Sequence, residues 1–493
     1  MADDEDISPE KEFADNTTLH GIGKVSGSEK CGLKLIWLAV FLACFGVAAW
    51  QITETVIRYF QFNTVTNIKL EFEDELIFPA VTICNFNRFE ENRLEADTQA
   101  YLSALLYGFE LPEPVGVYYD PVNDVLVNPV RDNLDPVNTT LEAGWQLVKN
   151  WNFYVCQFKG EDCDVVDFEH VFTTYGNCYT FNAVVDPDNP RRQKLPGAGN
   201  GLKLYFNIQS EFYTEDPAQG GSDDVGLKVL IHDQKEPPKM DTQGIAVGPG
   251  SHAYIAMSKV EYINEIPPWG ECQDLKLEYY ENYTLTGCLL ECRTKHVYAQ
   301  CGCRLFYLPG GNDYCDPRAI ADCALDTLKA VTAGNFTCDC PTPCDIAHFQ
   351  TSVSYAGWPN KLTAAHWLTE LNLWDVWDEQ SATDYMRQNW IVLDIYYSEL
   401  NYQVIEQQRE MTEGDLLSNI GGQLGLFIGA SVITLFEFVE YLIKRFTSCC
   451  RKKYRKDKVQ AVDIKPARVD VKPATSRFDT AHPRHPATDG SMW

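Results

Sequence analysis

Four glycines, Gly421, Gly422, Gly425 and Gly429, recur within nine residues of one apolar stretch, and Gly429-Ala430-Ser431 lies near its middle. Small residues let apolar helices approach closely, and a glycine cluster lets a helix break. Carbonyls freed at a break are tolerated at membrane depth only against protein or a water-filled path, and rings of such carbonyls are one way to dehydrate and select a cation. Glu437 and Glu440 follow on one helical face. An ionisable side chain at membrane depth points to ion handling, whereas at the interface it only meets headgroups; both readings stand for this pair. One such segment cannot enclose a pore, so a channel built from it needs several copies around an axis.

The elements that carry these residues are two uncharged runs. Leu35 to Thr53 spans 19 residues and Leu416 to Phe436 spans 21. At 1.5 Å per residue, about 20 apolar residues cross a hydrocarbon layer of about 30 Å. The alternative for each is a buried core helix. The first run starts too far into the chain, and lacks the flanks, for a cleaved signal peptide. Between the runs, residues 59–415 hold 23 Lys+Arg and 54 Asp+Glu, while residues 441–493 hold 13 Lys+Arg and 5 Asp+Glu. Lys444, Arg445, Arg451, Lys452, Lys453, Arg455 and Lys456 follow the second run; Lys24, Lys30 and Lys34 precede the first. Basic residues mark the cytosolic side, so both termini are expected there and the middle outside, in a plasma-membrane protein with two spans. A net charge of −29 argues against a nucleic-acid partner, which demands a basic face.

Cysteine agrees with that topology. Fourteen of 18 cysteines fall between the runs: Cys84, Cys156, Cys163, Cys178, Cys272, Cys288, Cys292, Cys301, Cys303, Cys315, Cys323, Cys338, Cys340 and Cys344. An even number outside reads as seven disulfides, whose connectivity spacing leaves open. Zinc is the competing reading, disfavoured by the absence of paired C-x₂-C hooks. Cys449 and Cys450 are free thiols or palmitoylation sites. Asn138, Asn282 and Asn335 sit in glycosylation sequons. Strands are expected at Phe78 to Cys84, Gly201 to Ser210, Val225 to His232 and Ile391 to Tyr397, and helices over residues 91–106 and 363–390. Loops are expected at Asp186 to Asn200 and Pro217 to Asp224, and disorder in the last stretch of chain. Neither metal ligands, Gly-x-Ser-x-Gly nor a phosphate loop is present, so no enzyme and no cofactor is read. His20 and the six histidines between the runs are isolated by sequence.

In order along the chain stand His20-Gly21, Phe78 to Asn85 (FPAVTICN), Tyr175 to Asn182 (YGNCYTFN), Gly199-Asn200-Gly201-Leu202, Pro267-Pro268-Trp269-Gly270 and Gly421 to Ser431. Together, over residues 18–445, they resemble the degenerin/epithelial sodium channel family, and most of all its acid-sensing branch. The resemblance implies a membrane α+β fold: two transmembrane helices flanking a disulfide-rich extracellular domain of palm, thumb, finger, knuckle and β-ball, assembled as a trimer. It implies the pairs Cys84–Cys178, Cys156–Cys163, Cys272–Cys344, Cys288–Cys340, Cys292–Cys338, Cys301–Cys323 and Cys303–Cys315. It also implies a selectivity filter at Gly429, Ala430 and Ser431, and a position at Ser418 whose enlargement holds such channels open. Phe62 and Trp269 would couple the thumb to the first helix, and His20-Gly21 would act in gating; plain interface contacts and a chance His-Gly pair are the alternatives.

The departures bear on the stimulus. Phe62-Asn63-Thr64-Val65 lacks the histidine that the acid-sensing branch carries at the outer end of its first helix, and Leu195 stands where that branch has a lysine. Carboxylates can still sense protons if crowding raises their pKa, and Asp223, Asp224 and Glu71 to Glu75 are candidates. Asn419 replaces an aspartate at the outer pore mouth, which weakens calcium block there.

The expectation is an amiloride-sensitive, sodium-preferring cation channel, a homotrimer or a heterotrimer with related subunits, gated through its extracellular domain. Protons, a neuropeptide drawn to the acidic exterior, and constitutive leak or tension compete as the controlling signal. An ATP-gated two-span channel would need a lysine-rich phosphate pocket, and a non-conducting receptor would leave the second run unexplained. The expected divisions are residues 1–33 (cytosolic, with His-Gly), 34–58 (first helix), 59–415 (extracellular, thumb about 272–365), 416–443 (second helix with filter) and 444–493 (basic, disordered tail).

Overall fold

The computed structural model describes residues 8–94, 118–120, 125–127, 134–184, 190–214 and 222–462. They form two units, Gln61–Glu410 and the pair of terminal segments that flank it in sequence. In the terminal unit, α1 (Pro9–Asn16) opens on Ser8, whose hydroxyl accepts the Lys11 N–H, with proline at the first turn. Short α2 (Ile22–Gly27) follows, then α3 (Cys31–Tyr59). At 1.5 Å per residue, α3 is about 44 Å long. Leu35, Ile36, Leu42 and Trp50 are exposed along it and only Ala48 is buried. An apolar helix with apolar side chains on its outside needs a non-aqueous surrounding or partners.

The body, Gln61–Glu410, is built on two sheets. The larger runs, in order, β9 (Asp345–Gly357), β8 (Ser251–Ile263), β10 (Trp390–Arg409), β6 (Leu202–Asn207) and β3 (Phe153–Phe158), ending on the short strand Glu161–Asp162. The 20 residues of β10 serve two partners: Leu202 pairs Ile395 on β6, while β1 (Thr64–Phe72) pairs antiparallel from Thr64–Arg409 to Phe72–Asn401. β8 lies parallel along most of β10's length. Residues 390–395 of β10 are buried on both faces, as a central strand requires. The second sheet orders Ile245–Val247, β7 (Leu227–His232), β2 (Ala80–Asn85), β5 (Gly176–Phe181) and β4 (Phe168–Thr173). One core joins the sheets, with Phe78 edge-on to Phe158, Phe181 and Tyr397.

A helical part carries α4 (Leu285–Cys301), capped by the Thr284 hydroxyl and ended by left-handed Gly302, and α5 (Leu325–Thr332). Val297, Leu305, Leu308 and Ile320 pack its small core. Five disulfides brace it: Cys272–Cys344, Cys288–Cys340 and Cys292–Cys338 nested, then Cys301–Cys323 and Cys303–Cys315. Cys84–Cys178 joins β2 to β5, and Cys156–Cys163 closes a hairpin. These are the pairs the resemblance implies.

Two expectations on elements change, and a third falls mostly outside the described residues. The helix over 363–390 is two, α6 (Lys361–Glu370) and α7 (Glu379–Asn389), separated at left-handed Asn372 and restarted by the Asp378 cap. Of 91–106 only a 3₁₀ turn at Glu91–Arg93 lies among the described residues. The chain after 443 does not become disordered at once. α8 (Glu413–Ile428) is followed by α9 (Val432–Val462), because Lys, Arg and Gln there are strong helix formers.

Candidate functional site

In the terminal unit, α8 stops at Gly429, whose φ of 67° is left-handed, and α9 restarts at Val432 with its axis turned by 71°. Gly429-Ala430-Ser431 is the break itself. The Ser431 N–H donates to the Thr434 hydroxyl at 2.9 Å, and the Thr434 N–H reaches back to the serine hydroxyl. The site is thus capped by side chains.

The His20 segment fills the bend. The His20 N–H donates to the Ile428 carbonyl at 2.9 Å, taking one of the acceptors that the broken helix leaves over. A Cβ added to Gly429 would lie 2.5 Å from His20 Nδ1. Thr18 and Thr434 hydroxyls meet at 2.6 Å, and Glu437 Oε2 accepts the Thr18 N–H and the Thr17 hydroxyl, each at 3.0 Å. Glu440 instead pairs with Lys444 at 2.9 Å, and Lys444 also holds Glu12 at 2.7 Å. Phe13 of α1 lies tilted against Tyr441, ring centroids 4.9 Å apart, and meets Phe438 edge-on. His20, Gly21, Glu437 and the Gly-Ala-Ser break, far apart in sequence, are therefore one cluster, and Glu440 belongs to the α1–α9 seam beside it.

Further along α8, Ser418, Gly421, Gly422 and Gly425 recur every three or four residues and are exposed. They form a smooth stripe on one face. Gln423 points elsewhere, its side-chain amide donating to the Thr55 hydroxyl of α3 at 3.0 Å. Tyr59 reaches Glu413 at 3.3 Å.

In the body, Phe62 and Trp269 meet edge-on with ring centroids 5.2 Å apart. Phe62 is left-handed at φ 53°, which turns the chain into β1. The Arg409 guanidinium lies 4.0 Å over the Trp269 ring and pairs with Glu265 at 3.5 Å. Asn63 and Glu410 share two hydrogen bonds. Both ends of the body's chain are tied at one place.

The acid candidates sort by burial. Asp223 and Asp224 are exposed, just after residues outside the description. Glu75 pairs with Arg192 and Lys194. Two carboxyls that sequence reasoning passed over are buried. Asp394 of β10 accepts the Gly199 N–H with both oxygens, and burial raises its pKa; the Gly199 bond and Lys203 oppose this more weakly. Burial also raises Glu90, against Arg93 at 2.7 Å. Burial, aided by Lys203, pushes His252 down to about 4, and its Nε2 is enclosed without a hydrogen-bond partner among the described residues. An aspartate inside the β-branched run IVLDIYY was the available signal for Asp394. Among the described residues the one cluster with metal-ligand spacing is Cys292, His296 and Cys338, and its two sulfurs are spent on each other. The three sequon asparagines are exposed.

A family model described as amiloride-sensitive sodium channel matches residues 13–441. The bile acid-sensitive ion channel of Rattus norvegicus is 33% identical over 450 residues, covering 88% of this chain and 87% of that one. Acid-sensing ion channel 1 of Gallus gallus is 33% identical over 467 residues, covering 90% and 86%. Acid-sensing ion channel 2 of Homo sapiens is 31% identical over 447 residues, covering 87% and 85%. These relatives are ion channels, not enzymes.

Proposed function

The chain belongs to the amiloride-sensitive sodium channel family, and from that premise we propose that it is a sodium-preferring, amiloride-blocked cation channel of the plasma membrane. In this reading α3 and the broken pair α8–α9 are the two spans, both termini are cytosolic, and Gln61–Glu410 is the glycosylated exterior. The observation that carries it is the interruption of an apolar helix at Gly429-Ala430-Ser431, with the His20 segment seated in the bend. A helix that breaks at membrane depth without a functional reason leaves polar backbone in hydrocarbon. The exposed stripe of Ser418, Gly421, Gly422 and Gly425 is what a close contact between copies requires, and three copies would bring three breaks round one axis. The test is the reversal potential of whole-cell current from the chain expressed alone, in sodium against potassium solutions. Ser431→Cys and Ser431→Val are expected to shift it toward equal permeability. An unchanged reversal potential with surface expression intact would remove the filter from this segment.

Extracellular protons are the stimulus this reading favours, because Asp394 and Glu90 are buried carboxyls whose affinity for protons burial raises, the direction that a carboxylate sensor needs. Steps of bath pH from about 7.4 to 5 span the range of such groups. Current that appears on acidification supports proton control. Current already present at neutral pH and blocked by amiloride indicates a leak channel. Silence with protein at the surface indicates a peptide ligand, for which the acidic exterior supplies attraction, or a missing partner subunit.

A further inference from the structure

Between β4, the loop 237–241, α4 and the loop 304–310 lies a cavity of about 330 Å³. That is the lower end of the size range for sites holding small organic ligands. Its walls are apolar where Phe172, Phe306, Leu290 and Met240 line it. They are also held in place. Met240 packs against the Cys84–Cys178 bridge, and Cys303–Cys315 closes the loop that carries Phe306. Arg304 spends its guanidinium on that same loop, donating to the Gly311, Leu305 and Leu308 carbonyls and lying over Tyr314.

The charge in the cavity is unlike that of the chain around it. Residues 59–415 hold more than twice as many acidic as basic side chains. Lining the cavity, Lys239 and Arg293 face a single carboxylate, Asp241, which stands 3.8 Å from the Arg293 guanidinium. Tyr280 and Tyr307, also in the lining, are neutral at pH 7 as tyrosines ordinarily are, and burial pushes both further up, to about 12. Cations, neutral donors and an apolar floor in one enclosure suit an anion with a hydrophobic body, and they disfavour a basic ligand.

We propose that this cavity binds a small amphiphile bearing one carboxylate, the acid group meeting Lys239 and Arg293 and the apolar body lying on Phe172, Phe306 and Leu290. Such a ligand would tie α4 to the β4 hairpin, elements otherwise separate in sequence. The site stands on its own geometry, whether or not the chain conducts sodium.

The experiment is calorimetric titration of the purified full chain in detergent, with empty-micelle blanks, using 1-naphthylacetate and its uncharged amide as probes. A charge-assisted contact is expected to make the acid bind about tenfold tighter than the amide, and Lys239→Met to remove about that factor while leaving the amide's affinity in place. Arg293→Gln is expected to act likewise. Because Arg293 also pairs with Asp241, Lys239→Met is the deciding variant. A third variant, Leu290→Trp, fills the cavity and is expected to abolish binding of both probes, with gel filtration unchanged. Absence of binding, equal affinity for acid and amide, or full acid affinity in the Lys239→Met, Arg293→Gln double variant would each overturn the assignment.

Discussion

At the scale of single residues, the proposed proton response falls to Asp394 and Glu90, the two buried carboxyls whose pKa burial raises. A carboxyl whose native pKa is raised by burial favours the native state most below the ordinary carboxylate range. That contribution is lost as pH rises through the raised native value. His252 has the opposite sign: its contribution is complete above about 6.5, the ordinary value, and is lost as pH falls toward about 4. Acidification therefore relaxes two buried sites and strains a third. Asp394→Asn with Glu90→Gln mimics the protonated state. In the proton dose–response of whole-cell current, the midpoint is expected to move toward neutral pH with a shallower slope. Asp223→Asn with Asp224→Asn, on an exposed loop, is expected to leave the curve in place. An unmoved curve in the first pair would clear these carboxyls of any sensing role. Adjacent acids draw the eye in a sequence, but burial decides which carboxyl is perturbed, and burial is a property of the folded sheet.

At the scale of elements, the break between α8 and α9 was legible because glycine spacing is local chemistry. The seat of His20 against Gly429 was not, since nothing in either segment's periodicity names the other. The resemblance brought both into view without placing them together. Strand β2 was legible from a β-branched run, and β6 and β7 from their alternation. The long pair β8–β9 was not, because Ser, Lys and Gln interrupt its alternation where its faces are half exposed. The Phe62–Trp269 pair joins the beginning of β1 to the segment after β8, and an edge-on pair provides about 0.5–1.5 kcal/mol beyond burial. In a double-mutant cycle on the midpoint of activation, Phe62→Leu and Trp269→Leu are expected to show a coupling of that size. Additive effects would reduce the contact to ordinary packing. Arg409, stacked on the same ring, predicts that Trp269→Leu shifts the midpoint more than Phe62→Leu does.

At the scale of the molecule, seven disulfides hold a body whose strands pair across long separations. Closing long loops constrains the unfolded chain, and removing a native bridge costs about 2–5 kcal/mol. Cys292→Ser with Cys338→Ser, the innermost rung of the nested set, is expected to lower the thermal midpoint of the solubilised chain. Cys156→Ser with Cys163→Ser, which closes only a short hairpin, is expected to lower it less; equal shifts would contradict the loop-length argument. The same contrast of near and far governs the terminal unit. Thr18 and Thr434, whose hydroxyls meet beside the break, are separated by 416 residues. At about 5–20 residues per second of synthesis, the first waits on the order of a minute for the second to be made. The lining of the proposed conduction path is therefore completed last, after the body has had time to fold and oxidise. If α8–α9 lines the pore as proposed, a chain interrupted anywhere before that pair holds only half of the seam, and an unfinished subunit would leave no open hole in the membrane where it is made.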